Sequence, residues 1–169
     1  MNALEAILGR RSIRKFTGAR VSEEDVETLL KAAMSAPSAC NQQPWHFIVV
    51  RNRESLKKIM EAHPYTKMLD KASVAIIVCG DPELQDCPGY WVQDCSAATE
   101  NLLIAANAIG LGATWCGVYP ADDRVLKLKE IFGTPKQVVS LCVVAVGVPD
   151  EKKPPSERFN EDRIHFEHW

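Results

Sequence analysis

The sequence predicts an α+β fold, mixed α/β layers with helices on both faces of a sheet. Three observations predict it. Helical patterns come first, and strands then alternate with helices. Val74–Cys79 and Val138–Val148 are unbroken apolar runs of strand type, the second long enough to be the longest strand and buried on both faces. Trp91–Ile109 is apolar nearly all round, so it belongs at the centre of a fold or between subunits.

Asn2 is placed to cap a short first helix, Ala3 to Leu8, which Gly9 ends. Ser22 opens the second with acids in its first turn; Val26, Leu29, Leu30, Ala33 and Met34 make its apolar stripe, and Pro37 stops it. The strand His46–Val50 follows, then a helix from Arg53 to Ala62 capped by Asn52, and a helical turn at Lys67–Lys71. Asp81–Tyr90, with Pro82, Pro88 and Gly89, reads as a loop before the long helix. Gly110–Tyr119 looks like a glycine-rich phosphate loop but closes a helix and enters a strand, the reverse of the dinucleotide fingerprint. Gly117 within that strand suggests close approach of the backbone to a flat ligand. Asp122 caps a helix through Ile131, ended by Gly133 and Pro135. Pro149–Pro155 is a charged linker, and Ser156–Trp169 is a tail whose Phe159, Ile164, Phe166 and Trp169 suit docking on a partner subunit.

Composition narrows the function classes. With 169 residues, 46% hydrophobic and 25% charged, the chain suits one ordinary globular domain. A net charge of −2 argues against bulk nucleic-acid affinity. No run approaches the roughly 20 apolar residues of a membrane span, and the amino terminus lacks a signal-peptide core, so a cytoplasmic location is expected. The six cysteines include no C-x-x-C pair, and several sit in apolar runs, so they read as buried structural thiols rather than a disulfide framework. His165 and His168 lack a second ligand pair, and no metal is expected.

Two stretches carry chemistry. Arg10, Arg11, Arg14 and Lys15 place four cations within six residues, with Ser12 between them. In an extended chain Arg10, Ser12 and Arg14 point one way, a set that suits a phosphomonoester: guanidinium forks grip its oxygens in pairs and the hydroxyl adds a bond. A solvated basic turn explains the segment equally well. Ser38-Ala39-Cys40-Asn41-Gln42-Gln43-Pro44-Trp45 is an amide-rich loop, whose donors and acceptors match the mixed edge of a heterocycle. From these residues alone, a turn whose Asn and Gln satisfy their own backbone is favoured.

Together, Arg10 to Phe16, Pro37 to Trp45, and Asn101 to Gly112 leading into Trp115–Pro120 resemble the nitroreductase family of FMN-dependent oxidoreductases, in its short members. Their order and spacing cover most of the chain. The resemblance implies a nitroreductase-like fold with a central, mainly antiparallel sheet, and a domain-swapped homodimer with two FMN molecules in the subunit interface. It makes residues 1–169 one FMN-binding domain with a 149–169 tail exchanged onto the partner. It assigns Arg10, Arg11, Ser12 and Arg14 to the phosphate, ribityl chain and pyrimidine edge of FMN, and Arg158 to the phosphate. Pro37, Ser38, Ala39, Asn41 and Gln43 would belong to the flavin-lining loop, with Ser38 and Ala39 reaching across from the other subunit. Thr114, Trp115, Cys116 and Gly117 would run along one ring face. It implies ping-pong hydride transfer from NAD(P)H to flavin N5 and on to a small acceptor such as a nitroaromatic or quinone, with no protein residue as catalyst. The alternatives are a non-catalytic FMN-binding sensor or store, and a flavin enzyme of another reaction type, reductive dehalogenation or flavin cleavage.

Overall fold

The computed structural model describes residues Met1–Trp169. Its helices are α1 (Ala3–Gly9), α2 (Glu23–Met34), α3 (Arg53–Ala62), α4 (Trp91–Ala108) and α5 (Asp122–Phe132); its strands are β1 (Trp45–Val50), β2 (Val74–Gly80), β3 (Gly112–Gly117) and β4 (Val139–Gly147). The strands form one antiparallel sheet in the order β1-β2-β4-β3. β2 and β4 lie in the middle and are buried almost throughout, which is why their sequences are continuous apolar runs without alternation. No helix is long and apolar enough to cross a membrane.

The helix starts follow their caps. The Asn2 side chain accepts from the Glu5 N–H while Glu5 reaches back to the Asn2 N–H, a reciprocal capping box. Ser22 and Asn52 accept from the backbone three residues on. α5 differs from expectation. Asp122 is its first helical residue, not its cap; Ala121 precedes it with no side-chain bond, and the acids of the first turn face the positive end of the helix dipole instead.

One sheet face packs on α2 and α4 around Leu29, Ile76, Val78, Ala98, Leu102 and Val144, and the other on α3 and α5 around Leu56, Ile59, Ile77, Leu128 and Val143. Gly80 ends β2 because α4 begins above it: a methyl group there would collide with the Trp91 ring. Trp91 in turn meets Tyr119 edge to face, ring centres 5.0 Å apart, tying the start of α4 to the chain leaving β3.

The register brings three connections to one end of the sheet. Trp45 opposes Gly80, Gly80 opposes Val139, and Gly117 opposes Cys142. The loop before β1, the loop after β2 and the exit from β3 therefore emerge side by side. The Asp81 N–H donates to the Pro44 carbonyl at 2.8 Å and joins the first two.

The cysteines are not all the buried structural thiols that the sequence predicts. Cys79, Cys95, Cys116 and Cys142 are buried free thiols, but Cys40 and Cys87 are joined in a disulfide, with Cα atoms 6.3 Å apart. Their separation of 47 residues hides the pair in the sequence; the adjacency of the two loops creates it.

Candidate functional site

The basic segment is stitched onto the edge strand β3. Ser12 bridges Ala113 in parallel and Phe16 bridges Pro149, with the Ile13 N–H donating to the Ala113 carbonyl and the Thr17 N–H to the Val148 carbonyl, both at 3.0 Å. Two glycines opposite each other in the β3–β4 pair make this possible. A methyl group at Gly112 would lie 2.7 Å from Ile13, and one at Gly147 would lie 2.9 Å from Phe16. The bare notch takes both side chains, so the alternate residues of the segment turn outward.

Glu151 fixes the segment from the linker side. Its carboxylate accepts the Arg14 N–H at 2.6 Å and the Lys15 N–H at 3.2 Å, with the Lys153 ammonium 3.6 Å away. Those bonds, the Arg14 N–H first, hold its pKa below the ordinary carboxylate range. Lys153 also donates to the Ser12 carbonyl. The four cations then part company. Arg11 folds back onto backbone, donating to the carbonyls of Leu8, Arg10 and Pro154, and leaves its Nη2 buried without a partner. Arg10 pairs with Glu100 of α4 at 3.0 Å and shares a cleft of about 500 Å³ with Arg158. Arg14 keeps an exposed side chain with no ion pair or hydrogen bond inside the chain. It lines another cleft, about 650 Å³, with Lys15, Lys67 and Lys71 and the acids Asp70 and Asp150.

At the far end of the sheet stands the amide loop. The Gln43 N–H donates to Ser38 Oγ at 3.0 Å, and the Gln43 side chain donates to Asn41 Oδ1 at 2.9 Å, so part of its polar capacity is spent locally. Cys40, Asn41 and Gln43 all have positive φ, a conformation that side chains other than glycine adopt at a cost. Asp94 of α4 compensates. Its carboxylate, almost fully buried, accepts the Ala39 N–H at 3.0 Å and Gln42 Nε2 at 2.7 Å; Gln42 Oε1 then accepts the Cys87 N–H at 3.0 Å.

The exit of β3 is gripped by its carbonyl. Buried His63 accepts the Tyr65 N–H on Nδ1, so its Nε2 carries the proton and donates to the Gly117 carbonyl at 2.7 Å. Arg124 donates to the same oxygen at 3.0 Å. Burial, with a smaller push from Arg124, lowers the His63 pKa, although the Gly117 bond opposes the shift. Gly117 itself is exposed, and a Cβ there would meet nothing within 4 Å. Cys116 beside it is buried, and burial pushes its thiol up to about 11, against a small pull from Arg14. Thr114 lies under the sheet surface with its hydroxyl unpartnered.

The sequence matches the Nitroreductase family over residues 7–72 and 63–148, which spans the basic segment, the amide loop, His63 and β3 but not the linker and tail from 149 on. The chain belongs to the nitroreductase family. A relative from Methanothermobacter thermautotrophicus, described as a "Putative NADH dehydrogenase/NAD(P)H nitroreductase", is 52% identical over all of this chain and 88% of its own length. A crystal structure under the same description from Parabacteroides distasonis superposes with a TM-score of 0.95 at 39% identity, covering both chains completely. A "putative nitroreductase in complex with fmn" from Desulfovibrio desulfuricans superposes with a TM-score of 0.86 at 29% identity, over 100% of this chain and 98% of that one.

Within this nitroreductase-family chain, the residues singled out by sequence fall into three groups. Arg10 and Arg158 meet in one cleft and Arg14 lines the other, while Ser12 sits between them on the β3 edge. Thr114, Trp115, Cys116 and Gly117 form most of β3 beside that segment. Pro37, Ser38, Ala39, Asn41 and Gln43 line neither cleft. Lys67 and Lys71 were missed by the sequence reading. They sit in and after an ordinary helical turn, and no local pattern points them at Arg14 more than fifty residues earlier. Asp94 was missed too, because an acid in a first helical turn normally needs no explanation beyond the dipole.

Proposed function

We propose that the protein is an FMN-dependent NAD(P)H oxidoreductase that passes reducing equivalents to a small acceptor such as a nitroaromatic or quinone. Support comes from family membership and from the flavin held by the Desulfovibrio relative. The observation in this chain that carries the reading is Arg14. Its backbone is clamped by Glu151 while its guanidinium makes no bond within the chain and lines a cleft with Lys15, Lys67 and Lys71 and with the acids Asp70 and Asp150. That wall stays cationic on balance and leaves the guanidinium free to grip an anionic or acceptor-rich ligand. The other contacts fit the group as well. Gly117 leaves its backbone bare toward a flat ring, and Arg10 with Arg158 supplies two guanidinium groups for a phosphate.

FMN would supply the hydride chemistry at this site. The chain's residues bind and orient. Arg10, Ser12 and Arg158 would hold the phosphate of FMN, and Arg14, Lys67 and Lys71 would offer positive charge to its polar groups. His63 and Arg124 fix the Gly117 peptide so that its neighbour on the ring face does not drift. No side chain acts as nucleophile or acid.

The same reading makes the protein a homodimer in which Ser38 and Ala39 line the partner's flavin. Pro149, Asp150, Glu151, Lys153 and Pro154 are bound to this chain's own basic segment and Arg158 shares a cleft with Arg10, so the part of the tail that crosses to the partner is the apolar end beyond Arg158. Phe159, Phe166 and Trp169 stand exposed, apolar surface that a partner subunit would cover. Deleting Ser156–Trp169 is expected to shift the protein from dimer toward monomer in sedimentation velocity; an unchanged dimer overturns the exchange. The function itself is tested by anaerobic titration of the purified, FMN-loaded protein with NADH and NADPH. Bleaching of the visible flavin band supports the enzyme, and a band that persists under excess reductant overturns it.

A further inference from the structure

Six cysteines divide sharply by environment. Four are buried, and burial raises every one of those thiols, Cys95 to about 12 and Cys116 to about 11. Such thiols are inert to exchange. Cys40 and Cys87 differ: Cys40 is exposed and Cys87 half-buried, each on a loop at the same end of the sheet. Their bond is the covalent tie between the amide loop and the loop Asp81–Tyr90.

Apart from this bond, the middle of the second loop is loosely held. Gln85 binds the N–H groups of Gly89 and Trp91 and the Pro82 carbonyl, and Asp81 binds the Glu83 N–H, so those contacts keep the loop's shape without fastening its middle to the amide loop. The remaining link is the Cys87 N–H to Gln42 Oε1, and Gln42 is itself anchored to Asp94. A disulfide parallel to one hydrogen bond is a two-position device. With it closed, the middle of the loop is pinned; with it open, one hydrogen bond holds that middle, and the Asp81 N–H bond to the Pro44 carbonyl holds only its start.

We propose that Cys40–Cys87 is a reversible latch, opened by small thiols and closed by small disulfides, that sets how freely the loop Asp81–Tyr90 moves over the end of the sheet where the amide loop and Gly117 emerge. The exchange balances without a further oxidant. A dithiol thiolate attacks one sulfur, the mixed disulfide is resolved by its second thiol, and two cysteine thiols and a cyclic disulfide result; a low-molecular-weight disulfide drives the reverse. That the loop's motion governs access of an electron acceptor rests on the flavin reading above. The latch itself does not.

The test uses the full-length protein as purified, oxidised with glutathione disulfide or reduced with dithiothreitol, then alkylated and weighed intact. Oxidised protein alkylated in denaturant is expected to carry four adducts, one for each free cysteine. Protein reduced without denaturant is expected to carry adducts at Cys40 and Cys87 alone, and glutathione disulfide should remove that reactivity. Hydrogen exchange within Asp81–Tyr90 is expected to quicken about ten-fold or more on reduction, as a pinned loop becomes a locally opening one. The double variant Cys40→Ser/Cys87→Ser should exchange like the reduced protein and ignore the dithiol. Six adducts in the oxidised sample, a pair that resists native reduction, or exchange in Asp81–Tyr90 that reduction leaves unchanged each overturns the latch. A protein that passes these but fails to bleach with NAD(P)H leaves the latch standing and removes the flavin reading. Where both hold, KM for a bulky quinone should respond to reduction of the pair and KM for a small one should not.

Discussion

Asp94→Asn probes the post that holds the amide loop to the long helix. Asp94 is 5% exposed, and its carboxylate takes two donors, the Ala39 N–H at 3.0 Å and Gln42 Nε2 at 2.7 Å. Gln42 is not free to turn over, since its Oε1 already accepts the Cys87 N–H at 3.0 Å. An asparagine keeps the shape but has one oxygen. Its amide nitrogen must then face either the Ala39 N–H or the Gln42 amide group, donor against donor, in a place where water cannot intervene. A hydrogen bond to a charged acceptor contributes about 1.5–3 kcal/mol, and a stranded buried donor costs about 1–3. Because the asparagine retains one of the two bonds, we expect a net loss of about 2–4 kcal/mol. In a chain of this length that is a fall in Tm of roughly 5–10 °C. Urea unfolding should show a lower midpoint with an unchanged m-value, and Asp86→Asn, an exposed acid on the neighbouring loop, should stay within about 0.5 kcal/mol of the parent. If Asp94→Asn also stays within about 0.5 kcal/mol, the two-donor account of this loop is wrong.

Two further outcomes are expected. Replacing Arg10 and Arg14 together by Ala should weaken FMN binding by about 10²–10⁴-fold, two charge-assisted contacts of about 1.5–3 kcal/mol each, while leaving the melting curve of the apoprotein nearly unchanged. Fluorescence titration with FMN reads it, and parental affinity in the double variant contradicts the site. His63 gives a pH dependence with a definite sign. Its folded pKa lies below the ordinary 6.5, so the unfolded chain takes up the proton first. Its contribution to stability is therefore complete above 6.5 and is lost as the pH falls from there toward the lowered folded value. Protonation would also set an N–H on Nδ1 against the Tyr65 N–H. The urea midpoint of the parent should fall across that interval relative to His63→Gln, whose amide can still donate to Gly117; a difference that does not vary with pH counts against the assignment.

The local elements were open to inspection in the sequence because each is written in neighbouring residues. The reciprocal Asn2–Glu5 cap, the Ser22 and Asn52 caps, and the stop after Met34 are properties of three or four successive positions. Strand cores declare themselves equally well, since Val74–Gly80 and Val139–Gly147 have no polar face to show. The α5 start was misplaced by one residue because Asp122 suits both a cap and a first turn. The family's three stretches were legible for the same reason: each is contiguous.

What the linear order withheld depends on which distant residues meet. Hydrophobic period and capping chemistry alone determined the elements and the α+β class, and the basic run stood out in the sequence as a cluster of four cations. Tertiary packing decided how that run is divided: the Gly112–Gly147 notch turns Ile13 and Phe16 inward, Arg11 goes to backbone carbonyls, Arg10 goes to Glu100, and Arg14 is left unpaired in a cleft shared with Lys67, Asp70 and Lys71 of a distant helical turn. It also placed Cys40 against Cys87 and Asp94 beneath both amide-loop donors. A side chain's periodicity is fixed by its own backbone, whereas its partner is fixed by strand register and crossover, and neither is encoded within any short window of residues.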